Sequence, residues 1–408
     1  MTERRRSQRA LSNDKAILAA AVDEIVRVGV DRVSLRDVGH VAGLTHGATY
    51  ARYEDVSELL IEVWNSTLNE RLMAMYKLSR NAAENPGTRT VGELSDFIRQ
   101  ADSRDRAAIE MLLVSRRLPT LLEETEDFIH TCLESNEEST VTDTRAVILF
   151  GVVMVQIFSN AQFGFDVEFQ RALEKLLIEA LSVTSPPNEN SATINDFTVE
   201  PSGDRDRVAT DRGFKSDLEH AACDVIGRSG YVGATISRIA RRSKCSPALV
   251  YKLHRSKEDL VIGAFTELVA GRQLNESMMA QILDEGFFAN VLRSEASMES
   301  ERRRNFCLET ALAAGHSDTM RPVILGELIQ GASARTVLAE TDDGHNQRRD
   351  YAVRTVIAAV ISVSWLATIT SSTELLDMRA FAEPLRCGLQ NQWFPEQVDS
   401  NSDALIPG

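Results

Sequence analysis

Residues 34–60 read SLRDVGHVAGLTHGATYARYEDVSELL, and residues 235–261 read TISRIARRSKCSPALVYKLHRSKEDLV. In the first stretch Ser34 has the hydroxyl of a helix N-cap, Leu35 to Val41 follow as a short helix, and Gly43 supplies a tight turn. Thr45 then caps a second short helix through Tyr50 and Tyr53, and a longer helix starts from Asp55. The second stretch repeats the plan: a helix from Thr235 to Arg242, a turn at Ser243 to Cys245, and a helix from Ser246 through Tyr251. Each is preceded by a helix stopped at glycine. Ile17, Ala21, Ile25 and Val28 share a stripe ahead of Gly29, and Phe214 to Arg228 precede Gly230. Two short helices joined by a tight turn form the pattern of a helix-turn-helix, which places its second helix in the major groove of DNA.

The two stretches belong to a longer internal repeat. With Ala20 laid on Ala221 the chain aligns without a gap as far as Trp64 and Phe265, and identities fall at Asp23/Asp224, Ile25/Ile226, Gly29/Gly230, Tyr50/Tyr251 and Leu59/Leu260. A second match, Arg145-Ala-Val-Ile against Arg354-Thr-Val-Ile, continues through apolar pairs such as Phe169/Met378 and Leu176/Leu385. Two matches in the same order imply that the whole half is duplicated. Between the halves, residues 183–212 hold three prolines among Ser, Asn, Asp and Thr without periodicity, so they read as a linker. Elsewhere apolar residues recur every three or four positions and strand-like alternation is almost absent, which predicts an all-α protein. The expected division is a helix-turn-helix domain at 1–54, a helical domain at 55–182, the linker at 183–212, a second helix-turn-helix domain at 213–255, a second helical domain at 256–394 and a disordered tail at 395–408.

A net charge of -15, from 45 basic and 60 acidic residues, argues by itself against a nucleic-acid partner. Its distribution reverses that inference. Between Thr235 and His254 stand Arg238, Arg241, Arg242, Lys244 and Lys252 with no acid, whereas Ser34 to Tyr53 hold Arg36 and Arg52 against Asp37. The second helix-turn-helix is therefore the better equipped to neutralise phosphates, while the first has the N-terminal arm, Arg4, Arg5, Arg6 and Arg9, to draw on. Five scattered cysteines without a C-x-x-C pair argue against a disulfide framework and a zinc site. No apolar run reaches the ~18 residues of a membrane helix; Val147 to Ile157 is the longest, and no secretory signal opens the chain, so a cytoplasmic location away from membranes is expected. No Gly-rich phosphate loop, His-Glu-x-x-His or nucleophile relay occurs, and neither enzymatic activity, a cofactor nor a metal is expected. His316-Ser317-Asp318 read as a capped helix end and Arg116-Arg117 as a solvated helix face.

Both stretches resemble the tetracycline-repressor (TetR) family of bacterial transcriptional regulators. That family's motif sets a small hydroxyl residue, Ile-Ala, an Ala-Gly-Val-Ser turn, Gly-Thr-Leu-Tyr, an aromatic residue and Ser-Lys-Glu at this spacing. Departures in the first copy are Val56 at the lysine position and Tyr53 at the aromatic position. In the second they are Lys244 for the turn glycine, Pro247 near the start of the recognition helix and His254 at the aromatic position. The resemblance implies two tandem TetR-like units, each a three-helix helix-turn-helix domain followed by a helical ligand-binding and dimerisation bundle. It implies that Tyr50 and Tyr251 donate hydrogen bonds to phosphates and that Lys257 contacts the DNA backbone. Bases would be read by His46, Ala48 and Thr49 in one copy and by Pro247, Leu249 and Lys252 in the other. Thr45, Arg52, Ser246, Arg241 and Arg242, with the arm residues, complete the expected DNA-binding set; a core role is the alternative for the two tyrosines. The last two helices of each half, Thr142–Asn160 with Val167–Leu181 and Arg349–Thr370 with Leu376–Asn391, would pair in a four-helix bundle, with Trp365 and Phe381 in its seam.

The expected function is a DNA-binding transcriptional regulator, a repressor whose hold on a double-stranded operator is relieved by an unidentified small-molecule effector. Its halves would form an intramolecular pseudo-dimer, with a homodimer of whole chains left open. The competing reading is a protein-interaction or ligand-sequestering module on a TetR-like scaffold, with one or both DNA readers degenerate. A positive strip across both tyrosine-bearing helices favours the first reading.

Overall fold

The computed structural model describes residues 2–133, 140–183, 211–269, 280–284, 286–329 and 346–393, and among them all regular structure is helical. Helix α1 (Thr2–Val28) takes in the N-terminal arm, so it starts well before the apolar stripe that opens at Ile17. Gly29 ends it in the left-handed half of backbone space, with φ 86°. Then come α2 (Leu35–Val41), α3 (His46–Tyr50) and α4 (Val56–Val63), which passes through a π turn into α5 (Asn69–Glu84). The first half continues with α6 (Thr88–Gln100), α7 (Ser103–Ser115), α8 (Pro119–Cys132), α9 (Val141–Phe163) and α10 (Val167–Ser182). The second half opens with α11 (Asp211–Gly233, broken at Gly230), α12 (Ile236–Arg242), α13 (Pro247–Leu253) and α14 (Lys257–Val269). It ends with α15 (Phe287–Ala296), α16 (Glu301–Ala314), α17 (Arg321–Leu328), α18 (Asn346–Ile369) and α19 (Arg379–Trp393). Apart from residues 183, 211 and 212, the expected linker and the tail at 395–408 lie outside the described residues.

Helix starts are set locally. The side chains of Ser34, Asp55, Asp166, Thr235 and Ser246 each accept a first-turn backbone N–H, and Asp102/Asp105 and Thr140/Asp143 form reciprocal capping boxes. Thr45 occupies its cap position without making that bond.

Packing then decides which helices end up inside. Every residue of α9 from Thr144 to Ser159 is buried, because α5 lies on one side of it and α18 on another. A helix apolar all round is the form that double burial requires. Contrary to the expectation from uninterrupted runs, α9 and residues Arg349–Ile369 of α18 are long and apolar enough to cross a membrane. Their most apolar windows are 78% and 67% buried inside the protein, the setting of core helices. The earlier expectation failed because it counted unbroken runs, whereas mean hydropathy tolerates the scattered Gly, Gln, Ser and Thr of a long core helix.

One close contact joins the first half of the chain to the second. A Cβ on Gly151 of α9 would lie 2.8 Å from Cβ of Ser362 and 2.9 Å from Cδ1 of Leu366 on α18, so only glycine permits this approach. Phe158 meets Trp365 edge to face at 5.5 Å along the same crossing. Beside it α10 packs on α19, with Leu176 filling the space left by Gly388. Trp365 and Phe381 are both buried. At the rim Arg354 donates to Asp166 at 2.7 Å while its guanidinium stacks 3.8 Å over the Phe169 ring, and Arg145 donates to the Ala380 carbonyl at 2.9 Å.

Gly151→Ala should destabilise the protein by about 1–3 kcal/mol through overpacking. Gly92→Ala, in α6 with no atom within 4 Å of the added carbon, should stabilise it by roughly 0.5–1 kcal/mol through helix propensity. Urea unfolding of both variants checks this pair, and a Gly151→Ala protein as stable as the parent would show that the crossing is not tightly packed.

Candidate nucleic-acid interface

Helices α1 to α3 and α11 to α13 each build a small three-helix unit. In the first, α2 and α3 touch where a Cβ on Gly39 would come within 2.4 Å of the Thr49 hydroxyl oxygen. Thr49 is fully buried there, which corrects its expected role at base edges. The aligned residues of the second unit, Ala240 and Val250, make the same buried seam. An apolar valine opposite Thr49 in the repeat was the signal that this position faces inward. The aromatic position is likewise internal in both units: Tyr53 is 1% exposed and His254 3%. Burial, with Glu62 nearby, pushes the Tyr53 phenol above its usual range. Tyr50 and Tyr251 are by contrast 47% and 58% exposed, on the outer face of α3 and α13.

The two outer faces carry different charge. Arg52 of the first unit is engaged by two acids, Asp14 at 3.2 Å and Glu62 at 3.6 Å, so its cation is largely compensated. In the second unit Arg238, Arg241, Lys244 and Lys252 are exposed, and among the described residues no acid pairs with Arg241, Lys244 or Lys252. Arg242 is exposed too but donates to Asp224 at 2.6 Å. Ser246 caps α13, Pro247 stands exposed at its first turn, and Leu249 is half-buried, as is Ala48 in α3. The side chains of His46, Arg4, Arg5, Arg6 and Arg9 lie outside those described.

Lys257 departs from its expected place at the DNA backbone. Its Nζ donates to the Tyr231 carbonyl and sits 4.0 Å over the centre of the Tyr231 ring, turned into the protein. Burial, with Arg32 nearby, pulls this amine down to about 8. The two turns keep the same backbone, with φ 68° at Gly43 and φ 56° at Lys244. A lysine therefore holds a conformation that its Cβ disfavours.

Residues 219–264 match the bacterial regulatory proteins, tetR family. This span takes in α12, α13 and the exposed Tyr251 with its cations, and the match supports a DNA-binding transcriptional regulator of the TetR family. No curated protein matches the chain. Among the described residues no three His, Cys, Asp or Glu side chains gather as a metal site.

Beneath both units lies a charge cluster that overturns the reading of Arg116-Arg117 as a solvated face. Their side chains are 12% and 8% exposed, and both donate to Glu309 of α16, itself 2% exposed. Arg117 also holds Asp31 with two parallel bonds of 2.7 and 2.6 Å, while Arg116 donates to the Gly227 carbonyl in α11 at 3.1 Å. Burial opposes the charge on Arg117, but its bonds to Asp31 and Glu309 outweigh that and hold its pKa above the ordinary value. On the other side Glu110 accepts the Val30 N–H at 2.8 Å and faces His316 Nε2 at 3.1 Å. His316-Ser317-Asp318 does close a helix end, with the Ser317 hydroxyl accepting from Met320 N at 3.2 Å, but His316 belongs to this cluster. The sequence signal was a single carboxylate inside an otherwise uncharged stretch of each helix, Glu110 in AAIEMLLVS and Glu309 in FCLETALAA.

Two outcomes are expected. Lys244→Gly should gain up to ~1 kcal/mol in urea unfolding, because relief of roughly 1–2 kcal/mol of left-handed strain exceeds glycine's added chain entropy of roughly 0.5–1. The unfolded chain keeps a lysine protonated to about pH 10.4, whereas the folded Lys257 loses its proton near 8. Parent stability should therefore rise relative to Lys257→Met as pH goes from 7 to 9.5. A stability difference that stays flat or falls over that interval contradicts the inward placement of the amine.

Proposed function

We propose that the protein is a transcriptional repressor that carries two non-identical helix-turn-helix readers in one chain, packs its two halves as an intramolecular pseudo-dimer, and leaves an asymmetric operator when a small molecule binds. The observation that carries the reading is the second helix-turn-helix, where Tyr251 and Lys252 of α13, Arg241 of α12 and Lys244 of the turn are all exposed and no acid among the described residues pairs with the three cations, inside the segment matching the tetR family. Phosphates are bound by such a strip, and its charge is local enough to act despite a net charge of -15. Packing of α9 on α18 and of α10 on α19 supports the pseudo-dimer, because these are the helices that TetR-like proteins use to pair. Division into a reader and a helical domain in each half rests on the repeat. The second reader is the stronger anchor, because Arg52 of the first is compensated by Asp14 and Glu62.

The test starts from footprinting of the purified full chain on genomic DNA, followed by titrations on the recovered site. Tyr251→Phe should weaken binding several-fold, by the ~0.5–1.5 kcal/mol of one hydrogen bond, and more than Tyr50→Phe does. Replacing Arg241 and Lys252 together should lower the slope of log affinity against log salt by up to ~0.9 per lost phosphate contact. Greater damage from Tyr50→Phe, or an unchanged salt slope, would place the anchoring in the first reader and its arm. Absence of any footprint would favour the interaction-module reading.

A further inference from the structure

We infer that Arg116 and Arg117 lock the separation of the two readers and so set the half-site spacing that the protein accepts; this rests on the two-reader proposal above. The dipeptide follows α7 and touches both units. Arg117 grips Asp31, in the turn that leaves α1, through two parallel bonds, and Arg116 holds the Gly227 carbonyl of α11. Both guanidinium groups converge on one carboxylate, Glu309 of α16. Each reader is thus tied to the same rigid junction where its first helix meets the helical domains.

The junction is built for geometry more than for stability. Desolvation of Arg116 and Glu309 offsets much of the attraction within the cluster, whose second carboxylate is Asp31. Forked, two-point bonds, by contrast, fix direction as well as distance. The backbone is shaped to admit them: a Cβ at Gly230 would lie 2.7 Å from the Arg117 Cζ, so the second reader's glycine lets the guanidinium rest against its main chain. At the aligned glycine of the first reader, Gly29, a Cβ would lie 3.1 Å from Glu110 Oε1, and Glu110 ties the next residue's N–H. Glu110 faces His316 as Glu309 faces Arg117, so the junction has a second, weaker arm across the same boundary. Shifting one half-site by one base pair displaces it about 3.4 Å along the duplex and turns it around the axis. A locked pair of readers resists that shift, and an unlocked pair follows it.

The experiment is selection of bound duplexes from a random-sequence pool by the full-length protein, with sequencing of the recovered DNA. The readout is the separation between the two enriched motifs. The parent should enrich pairs at one separation. Asp31→Asn, on a partly exposed turn where folding is not at risk, and Arg117→Met should spread over neighbouring separations. The preference for the best spacing over one displaced by two base pairs should fall about fivefold or more. Arg89→Met, whose side chain is 90% exposed and, among the described residues, paired with Glu93 on α6, should keep the parent distribution. Thermal unfolding checks that the variants are folded, and Asp31→Asn carries the test if Arg117→Met is not. Variants that keep the parent's single separation overturn the lock, whereas a parent that enriches one motif alone overturns the two-reader reading on which it rests. A parent that enriches no sequence and binds without salt dependence overturns that reading too, and both results are separable from a failure of the lock, which leaves the parent's two motifs in place.

Discussion

The crossing of α9 and α18 at Gly151 is the constraint on which the rest of the molecule hangs. Backbone contact at that point, with Phe158 edge-on to Trp365 farther along the crossing, brings one helix from each half of the chain to core-like packing. Once α9 is buried from Thr144 to Ser159, α10 must lie along α19, and α7 and α16 are brought close enough for Arg116, Arg117 and Glu309 to meet. The small units at the N-terminal end of each half are then held side by side by a packed seam and a buried charge cluster. Their linking segment, most of which lies outside the described residues, is not needed to explain the arrangement.

The two three-helix units share an exposed tyrosine, Tyr50 or Tyr251, but differ in the charge around it, and their inward positions change only among residues that the packing admits. The seam between the two short helices is Gly39 against Thr49 in one and Ala240 against Val250 in the other; the internal aromatic position is Tyr53 or His254. Packing volume limits these changes. On the outer face no such limit operates, and the charges diverge: Arg52 is absorbed by Asp14 and Glu62, while Arg241, Lys244 and Lys252 stand clear. Lys244 even tolerates a left-handed backbone that its counterpart Gly43 adopts without strain. Replacing glycine by a cation at that turn gives up conformational ease in exchange for charge on the outer face.

The short-range features were legible in the sequence because their causes are short-range. Ser34 and Thr235 start helices at Leu35 and Ile236, and Ser246 caps the next, since a hydroxyl reaches only its own first turn. Gly29 and Gly230 stop helices because a positive φ suits glycine. The apolar period gave the all-helical class that the described residues show. The start of α1, placed at Ile17, was missed because polar residues from Thr2 onward carry no apolar stripe although they can propagate a helix.

What only the tertiary structure decided depends on partners far away in the chain. Arg116 and Arg117 look like a solvated pair until Glu309, Asp31 and Gly227 arrive from three other elements. Lys257 looks like a phosphate anchor until Tyr231 takes its amine, and Thr49 looks like a base reader until Gly39 closes over it. Caps, turns and periodicity are settled among residues a few positions apart, so the sequence alone determined where helices start and stop. Charge pairing and burial are settled by distance in space, and those distances exist only after α9 has met α18.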